Sequence, residues 1–203
     1  DLEALRERGR LAVNAPNLVH SQAFVIPIYK WWHAPLYLVG MKLYDLLAGK
    51  LGLKPSRYLN RKATLEALPN LRSERLLGGV RYYDGQFDDT RLAIHLAQTA
   101  DQHGAVVLNY CRCVGLVKQS ERLRGIEIHD LEQRRHFKVY AKAIINATGV
   151  YVDALRKMDE PQSKPILAAS QGVHLVLPKR FLPGQAAMMI PKTADGRVLF
   201  AVP

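Results

Sequence analysis

The sequence predicts a mixed α/β fold in two domains, and three observations carry that reading. A short apolar run of strand length stands at Ala23–Ile28, and the tract Gly79–Asp84 reads as another strand. A helix with both ends marked runs from Asp88 or Asp89 to Gly104. A series of short strands with polar breaks then follows, from Ala105 to Asn146. With 48% hydrophobic residues among 203, the chain can bury a substantial core and is no disordered tail.

From Asp1 to Asn14 the chain is charged, with apolar Leu2, Leu5 and Leu11. Pro16 cannot continue a helix, so this reads as the end of a surface helix. Asp1 stands where a Met would open a complete protein, and no signal-peptide pattern follows. The chain is therefore expected to begin within a longer one. Ala23–Ile28 reads as a buried strand.

Tyr29 to Lys50 is rich in aromatic and aliphatic side chains, Trp31, Trp32, Leu36, Val39 and Leu43 among them, yet carries Lys30, His33, Lys42, Asp45 and Lys50. A membrane span needs about 20 predominantly apolar residues, so these charges argue against a crossing. A helix from Pro35 to Ala48 either lies on a membrane surface, which paired Trp and flanking Lys suit, or packs as a core helix with its polar edge in water.

Next come a basic loop from Gly49 and a short helix around Lys62–Leu68, stopped by Pro69. Gly79–Asp84 reads as a strand entering a turn at Gly85. Asp88 or Asp89 can cap the following helix, and Gly104 suits its left-handed end. Strands are expected at Ala105–Leu108, Cys111–Lys118, Leu123–His129, His136–Tyr140 and Ala143–Asn146, with hairpins at Gln119–Arg122 and Asp130–Gln133. Ala147, Thr148 and Gly149 lead into a helix around Val152–Lys157. Beyond Pro161 and Pro165, strands of another sheet are expected at Gly172–Leu177, Ala187–Ile190 and Val198–Val202. The domain expectation is a helical and substrate-domain portion over 1–75, a partial nucleotide-binding domain over 76–160 and substrate-domain strands over 161–203.

The chain carries 29 Lys+Arg against 18 Asp+Glu, a net charge of +11. That favours a phosphorylated substrate, acidic lipid or nucleic acid, or else is spread over solvated faces. No run of five or six like charges argues for a nucleic-acid tail, and no nucleic-acid partner is expected. Cys111 and Cys113, two residues apart, cannot supply the four ligands of a structural zinc site, so no metal is expected, and they make a poor staple. A reducing, cytoplasmic setting follows.

The pattern Ala143-Ile144-Ile145-Asn146-Ala147-Thr148-Gly149 is an apolar run ending in small residues before a helix. Small side chains let main-chain N–H groups approach a flat or phosphorylated ligand, although a tight turn needs Gly for geometry alone. Set beside Tyr83-Asp84-Gly85, Asp88-Asp89, Gly104-Ala105 and Gln171-Gly172-Val173-His174-Leu175-Val176, with Arg8 and Tyr44-Asp45 earlier, the order resembles the middle of FAD-dependent glycerol-3-phosphate dehydrogenases. The similarity extends over essentially the whole chain.

That resemblance implies a partial FAD-binding domain of the glutathione-reductase/D-amino-acid-oxidase-like kind, plus part of an antiparallel-sheet substrate domain. It implies that Ala147, Thr148 and Gly149 lie against the flavin nucleotide, with the backbone of Cys113 near the adenine. His174 would face flavin and substrate, either accepting the hydroxyl proton or orienting the substrate. The parent enzyme would oxidise sn-glycerol 3-phosphate to dihydroxyacetone phosphate and pass electrons to quinone. It would sit peripherally at the cytoplasmic face of the inner membrane, with contact through 29–50. The Gly-x-Gly-x-x-Gly turn for the pyrophosphate is absent from these residues, and Gln171 stands where Lys is expected. The isolated chain is accordingly expected to lack FAD and activity. Two other readings stay open: a related FAD-dependent amino-acid or hydroxy-acid oxidase, and a non-enzymatic basic module that binds membrane or nucleic acid.

Overall fold

The computed structural model describes residues 2–48 and 54–203. Gly49 and Lys50, which close the apolar stretch and open the basic loop in the sequence, lie outside the described residues. The fold is mixed α/β, as expected. The chain forms two compact units, residues 1–96 with 176–203, and residues 97–175.

The first unit is built on a mixed five-stranded sheet in the order β2-β3-β1-β7-β8. Its strands are β1 (His20–Ile28), β2 (Arg57–Asn60), β3 (Gly78–Gln86), β7 (Ala187–Ile190) and β8 (Leu199–Ala201). β1 and β3 pair antiparallel from His20 opposite Gln86 to Ile28 opposite Gly78, while β7 lies parallel to β1 through Phe24 and Ala187. The turn expected at Gly85 is absent, because β1 runs alongside and the ladder continues through it with Ser21 opposite.

Opposed residues share a sheet face. Val25 and Leu59 lie on one face and join Leu68 and Ala186 in the core, against Ala63 and Ala67 of helix α3 (Arg61–Ala67). Asn60 caps α3 by accepting the Ala63 amide at 2.9 Å. On the other face Phe24 stacks on Tyr82 with ring centres 5.3 Å apart.

Helices α1 (Leu2–Asn14) and α2 (His33–Ala48) form as the sequence indicates. Leu5 and Gly9 of α1 are buried at helical spacing, one turn apart. Helix α2 keeps Leu36, Val39, Leu43 and Leu46 in solvent. No described helix is long and apolar enough to cross a membrane.

Helix α4 (Asp89–Gln102) carries the chain from the first unit into the second. Asp88 caps it by accepting the Arg91 amide at 3.0 Å, and Gly104 ends it at φ 84°. In the second unit β4 (Cys111–Gln119), β5 (Arg122–Asp130) and β6 (Arg135–Tyr140) make an antiparallel meander, followed by helix α5 (Val152–Asp159). Ser120 and Glu121 both take positive φ in a tight hairpin turn. Asp130 accepts the amides of Glu132 and Gln133 at 3.0 Å in the second turn. Lys118 of β4 meets Asp159 of α5 at 2.8 Å.

Three expected strands do not form: Ala105–Leu108, Ala143–Asn146 and Gly172–Leu177 carry no strand assignment. A strand is defined by a neighbour that accepts its ladder hydrogen bonds, and none stands beside these runs among the described residues. Their apolar side chains stay in solvent, Val106 at 85%, Ile145 at 88% and Val176 at 99% exposure. The strands expected at Ala187–Ile190 and Val198–Val202 do form, in the sheet of β1 and β3 and apart from the meander.

Candidate functional site

The bend after Ile145 is shaped by one side chain. The Asn146 carboxamide oxygen accepts the Thr148 hydroxyl at 2.7 Å and the Thr148 amide at 3.3 Å, a local turn that Asn favours. The Asn146 amide nitrogen donates to the Val152 carbonyl at 3.0 Å, which ties the bend to the start of α5. A single helical turn of the tighter kind, Gly149–Tyr151, lies between them.

This arrangement tests whether a dinucleotide can approach. Gly149 sits at φ 56°, a conformation that disfavours any residue with a Cβ, and a Cβ placed there would meet nothing within 4 Å. Ala147 is exposed, and the Thr148 hydroxyl is turned back onto Asn146 rather than across the bend. The bend is therefore not plugged by its own side chains, and its main chain is open to a flat ligand. At Gly149 no described atom stands within 4 Å of where a Cβ would be, so nothing there bars the approach of a flavin nucleotide.

A second set of contacts follows on α5. Asp153 accepts the Ile166 amide at 3.1 and 3.2 Å and the Leu167 amide at 3.1 Å. Arg156, one turn on, donates to Asp153 at 2.8 Å and to the Lys164 carbonyl at 2.7 Å. Desolvation pushes the Asp153 carboxyl up, but the Arg156 guanidinium and the two amides outweigh it and hold it below its usual range. Asp153 and Arg156 were not singled out from the sequence; the signal was an acid in the first helical turn with a base three positions later.

Cys113 lies on β4, opposite Ile128, with its thiol 3.5 Å from the Gly115 carbonyl beside a register shift. Cys111 and Cys113 are both free thiols. His174 lies on an exposed segment outside any helix or strand, flanked by Val173 at 78% and Leu175 at 80% exposure. Val176 is also in solvent, at 99% exposure, so no sheet face surrounds His174. Among the described residues no hydrogen bond or ion pair joins Cys113 or His174 to the bend. No group of three or more His, Cys, Asp or Glu among the described residues is placed to hold a metal ion.

In the first unit, Arg8 of α1 donates to the Tyr44 hydroxyl of α2 at 2.6 Å and to Asp84 of β3 at 2.8 Å. Tyr44 also donates to Asp84, at 3.4 Å. The sequence marked Arg8, Tyr44 and Asp84 separately but gave no sign that they meet.

The chain belongs to the FAD dependent oxidoreductase family, whose model matches residues 2–203. It is 42% identical over 207 residues to the mitochondrial glycerol-3-phosphate dehydrogenase of Rattus norvegicus, covering 99% of this chain and 28% of that one. A probable mitochondrial glycerol-3-phosphate dehydrogenase of Caenorhabditis elegans is 40% identical over 203 residues, with 99% and 28% covered. The chain thus spans 28% of the length of these relatives.

Among solved structures, the glycerol-3-phosphate dehydrogenase of Bacillus halodurans complexed with FAD matches with a TM-score of 0.74 at 28% identity, over 100% of this chain and 36% of that one. The L-proline dehydrogenase of P. horikoshii matches with a TM-score of 0.60 at 15% identity, over 80% and 41%, and shows the shared fold.

Proposed function

We propose that this chain is part of a flavoenzyme that oxidises sn-glycerol 3-phosphate to dihydroxyacetone phosphate. The observation that carries the reading is 42% identity to a glycerol-3-phosphate dehydrogenase across 99% of the chain. The open bend at 147–149 supports it independently. FAD, when bound, supplies the acceptor for the hydride that leaves the substrate carbon.

The chain's own residues then have distinct tasks. Ala147, Thr148 and Gly149 offer main chain for close approach to the nucleotide, and Asn146 holds that main chain in place. The backbone of Cys113 lies near the adenine, its thiol being incidental. His174 accepts the substrate hydroxyl proton or orients the hydroxyl for loss of hydride.

The same reading includes quinone as the acceptor and peripheral contact with its membrane through 29–50, at the cytoplasmic face of an inner membrane. Exposed Trp31, Trp32, Leu36, Val39 and Leu43 support it, as does Lys30, whose ammonium lies 5.4 Å from the Trp32 ring centre.

The test is anaerobic titration of the full-length, flavin-loaded protein. Glycerol 3-phosphate is expected to bleach the flavin absorbance. Bleaching by proline or glycine with no response to glycerol 3-phosphate would replace this substrate by an amino acid.

A further inference from the structure

We propose that Asp153 is a positioning residue that sets where the His174 tract leaves the Ala147–Gly149 bend, and that it tunes turnover through His174. The inference rests on the function proposed above.

Asp153 does not cap its own helix. Its two oxygens reach 13 and 14 residues forward, Oδ1 to the Ile166 amide and Oδ2 to the Ile166 and Leu167 amides. A carboxylate suits this task, since it accepts several donors at once and binds amides more strongly when charged. Arg156 completes the clamp by pairing with Asp153 and holding the Lys164 carbonyl. Between the held groups lies Pro165, whose ring fixes its own φ and restricts Lys164. Four consecutive residues, 164–167, are thus pinned to the first turns of α5.

Asn146 pins the other side. Its amide nitrogen holds the carbonyl of Val152, the residue before Asp153. The bend, the helix start and the returning segment are therefore registered to one another by Asn146 and Asp153. From Leu167 to His174 the chain is exposed and outside any helix or strand, and His174 has no hydrogen-bond partner among the described residues. The clamp is consequently the last side-chain anchor before His174 within residues 97–175. Loosening it moves the origin of the tract without touching flavin or substrate, and small misplacements of a reacting group are costly in rate.

The experiment uses the full-length, flavin-loaded enzyme and three variants: Asp153→Asn, which keeps size and one acceptor, His174→Ala, and the two combined. Hydrogen exchange is followed at the Ile166 and Leu167 amides, together with FAD content, kcat and KM for glycerol 3-phosphate. In Asp153→Asn these amides are expected to exchange faster while FAD content holds. Its kcat is expected to fall by about tenfold, with KM changed by less than about threefold. The double variant is expected to be no slower than His174→Ala alone, because both act through one group.

Wild-type kcat in Asp153→Asn, unchanged exchange at the two amides, or losses that multiply in the double variant would each overturn the inference. A slow His174→Ala enzyme beside an unaffected Asp153→Asn enzyme sinks the role of Asp153 and leaves the proposed function standing. Full turnover in His174→Ala removes His174 from the reaction and the role of Asp153 with it.

Discussion

Arg8 and Asp84 stand 76 positions apart in sequence, yet their side chains meet at 2.8 Å and join α1 to β3. The same guanidinium nitrogen holds the Tyr44 hydroxyl, so α2 is drawn into the contact. The Arg8 side chain is 12% exposed and that of Asp84 38%, so removing the arginine leaves a partly buried carboxylate without its charged partner. Arg8→Ala is expected to lower stability by about 2 kcal/mol. Arg8→Lys is expected to recover part of it, since an ammonium lacks the planar fork. A urea midpoint equal to wild type in Arg8→Ala would show that the network contributes nothing.

Tyr82 gives the first unit a dependence on alkaline pH. Burial, reinforced by Asp84 and then Tyr44, pushes its phenol well above the ordinary value of 10.0. The folded chain therefore keeps a proton that the unfolded chain releases near pH 10. The stabilisation is complete below that pH and declines as pH rises toward the folded value, at roughly 1.4 kcal/mol per pH unit at most. Tyr82→Phe keeps the stacking on Phe24 and loses the 3.1 Å hydrogen bond to the Met189 sulfur. Its urea midpoint is expected to fall less steeply than that of wild type between pH 9.5 and 11 (roughly the range where a free phenol titrates); parallel curves would exclude Tyr82 as the source.

Gly149 separates folding from ligand approach. A Cβ there meets no atom, so the cost of Gly149→Ala to the protein without flavin comes from φ 56° alone, about 1 kcal/mol. If the bend receives the nucleotide, the same methyl group stands in its way. Flavin content of the full-length variant is then expected to drop much further than its thermal midpoint implies. Retention of stoichiometric flavin would mean that the ligand does not press on this main chain.

Helix α2 predicts behaviour at lipid surfaces. Leu36, Val39, Leu43 and Leu46 are exposed at 63%, 68%, 55% and 75%, with Trp31 and Trp32 just before them. Replacing Trp31 and Trp32 by Ala is expected to lower co-sedimentation of the full-length protein with anionic vesicles by about tenfold. The remaining binding is expected to be the more sensitive to salt. Equal sedimentation of variant and wild type would move the contact elsewhere.

The sequence revealed what local chemistry decides. Helix α4 was legible because Asp88 and Gly104 mark its ends by side-chain capping and positive φ, and both do so in the structure. The hairpins of the meander were legible from polar breaks that the turns at Ser120-Glu121 and Asp130 now explain. Gly172–Leu177 misled, because an apolar run signals a wish for burial and not the presence of a neighbour. The clamp at Asp153 was hidden for another reason: its partners are main-chain amides of Ile166 and Leu167, and any sequence supplies those.

The parallel pairing of β1 with β7 has a consequence for how the chain is made. Gln22, at the edge of that pairing, donates to the Gln185 carbonyl 163 residues later. Residues 97–175 are thus an insertion, translated in full before the strand that covers the open edge of β1 leaves the ribosome. Until then β1 and β3 form a ladder whose free edge runs past Phe24 and Val25, an edge prone to wrong partners during synthesis. The interval of translation, rather than the strength of the finished sheet, sets how long that risk lasts.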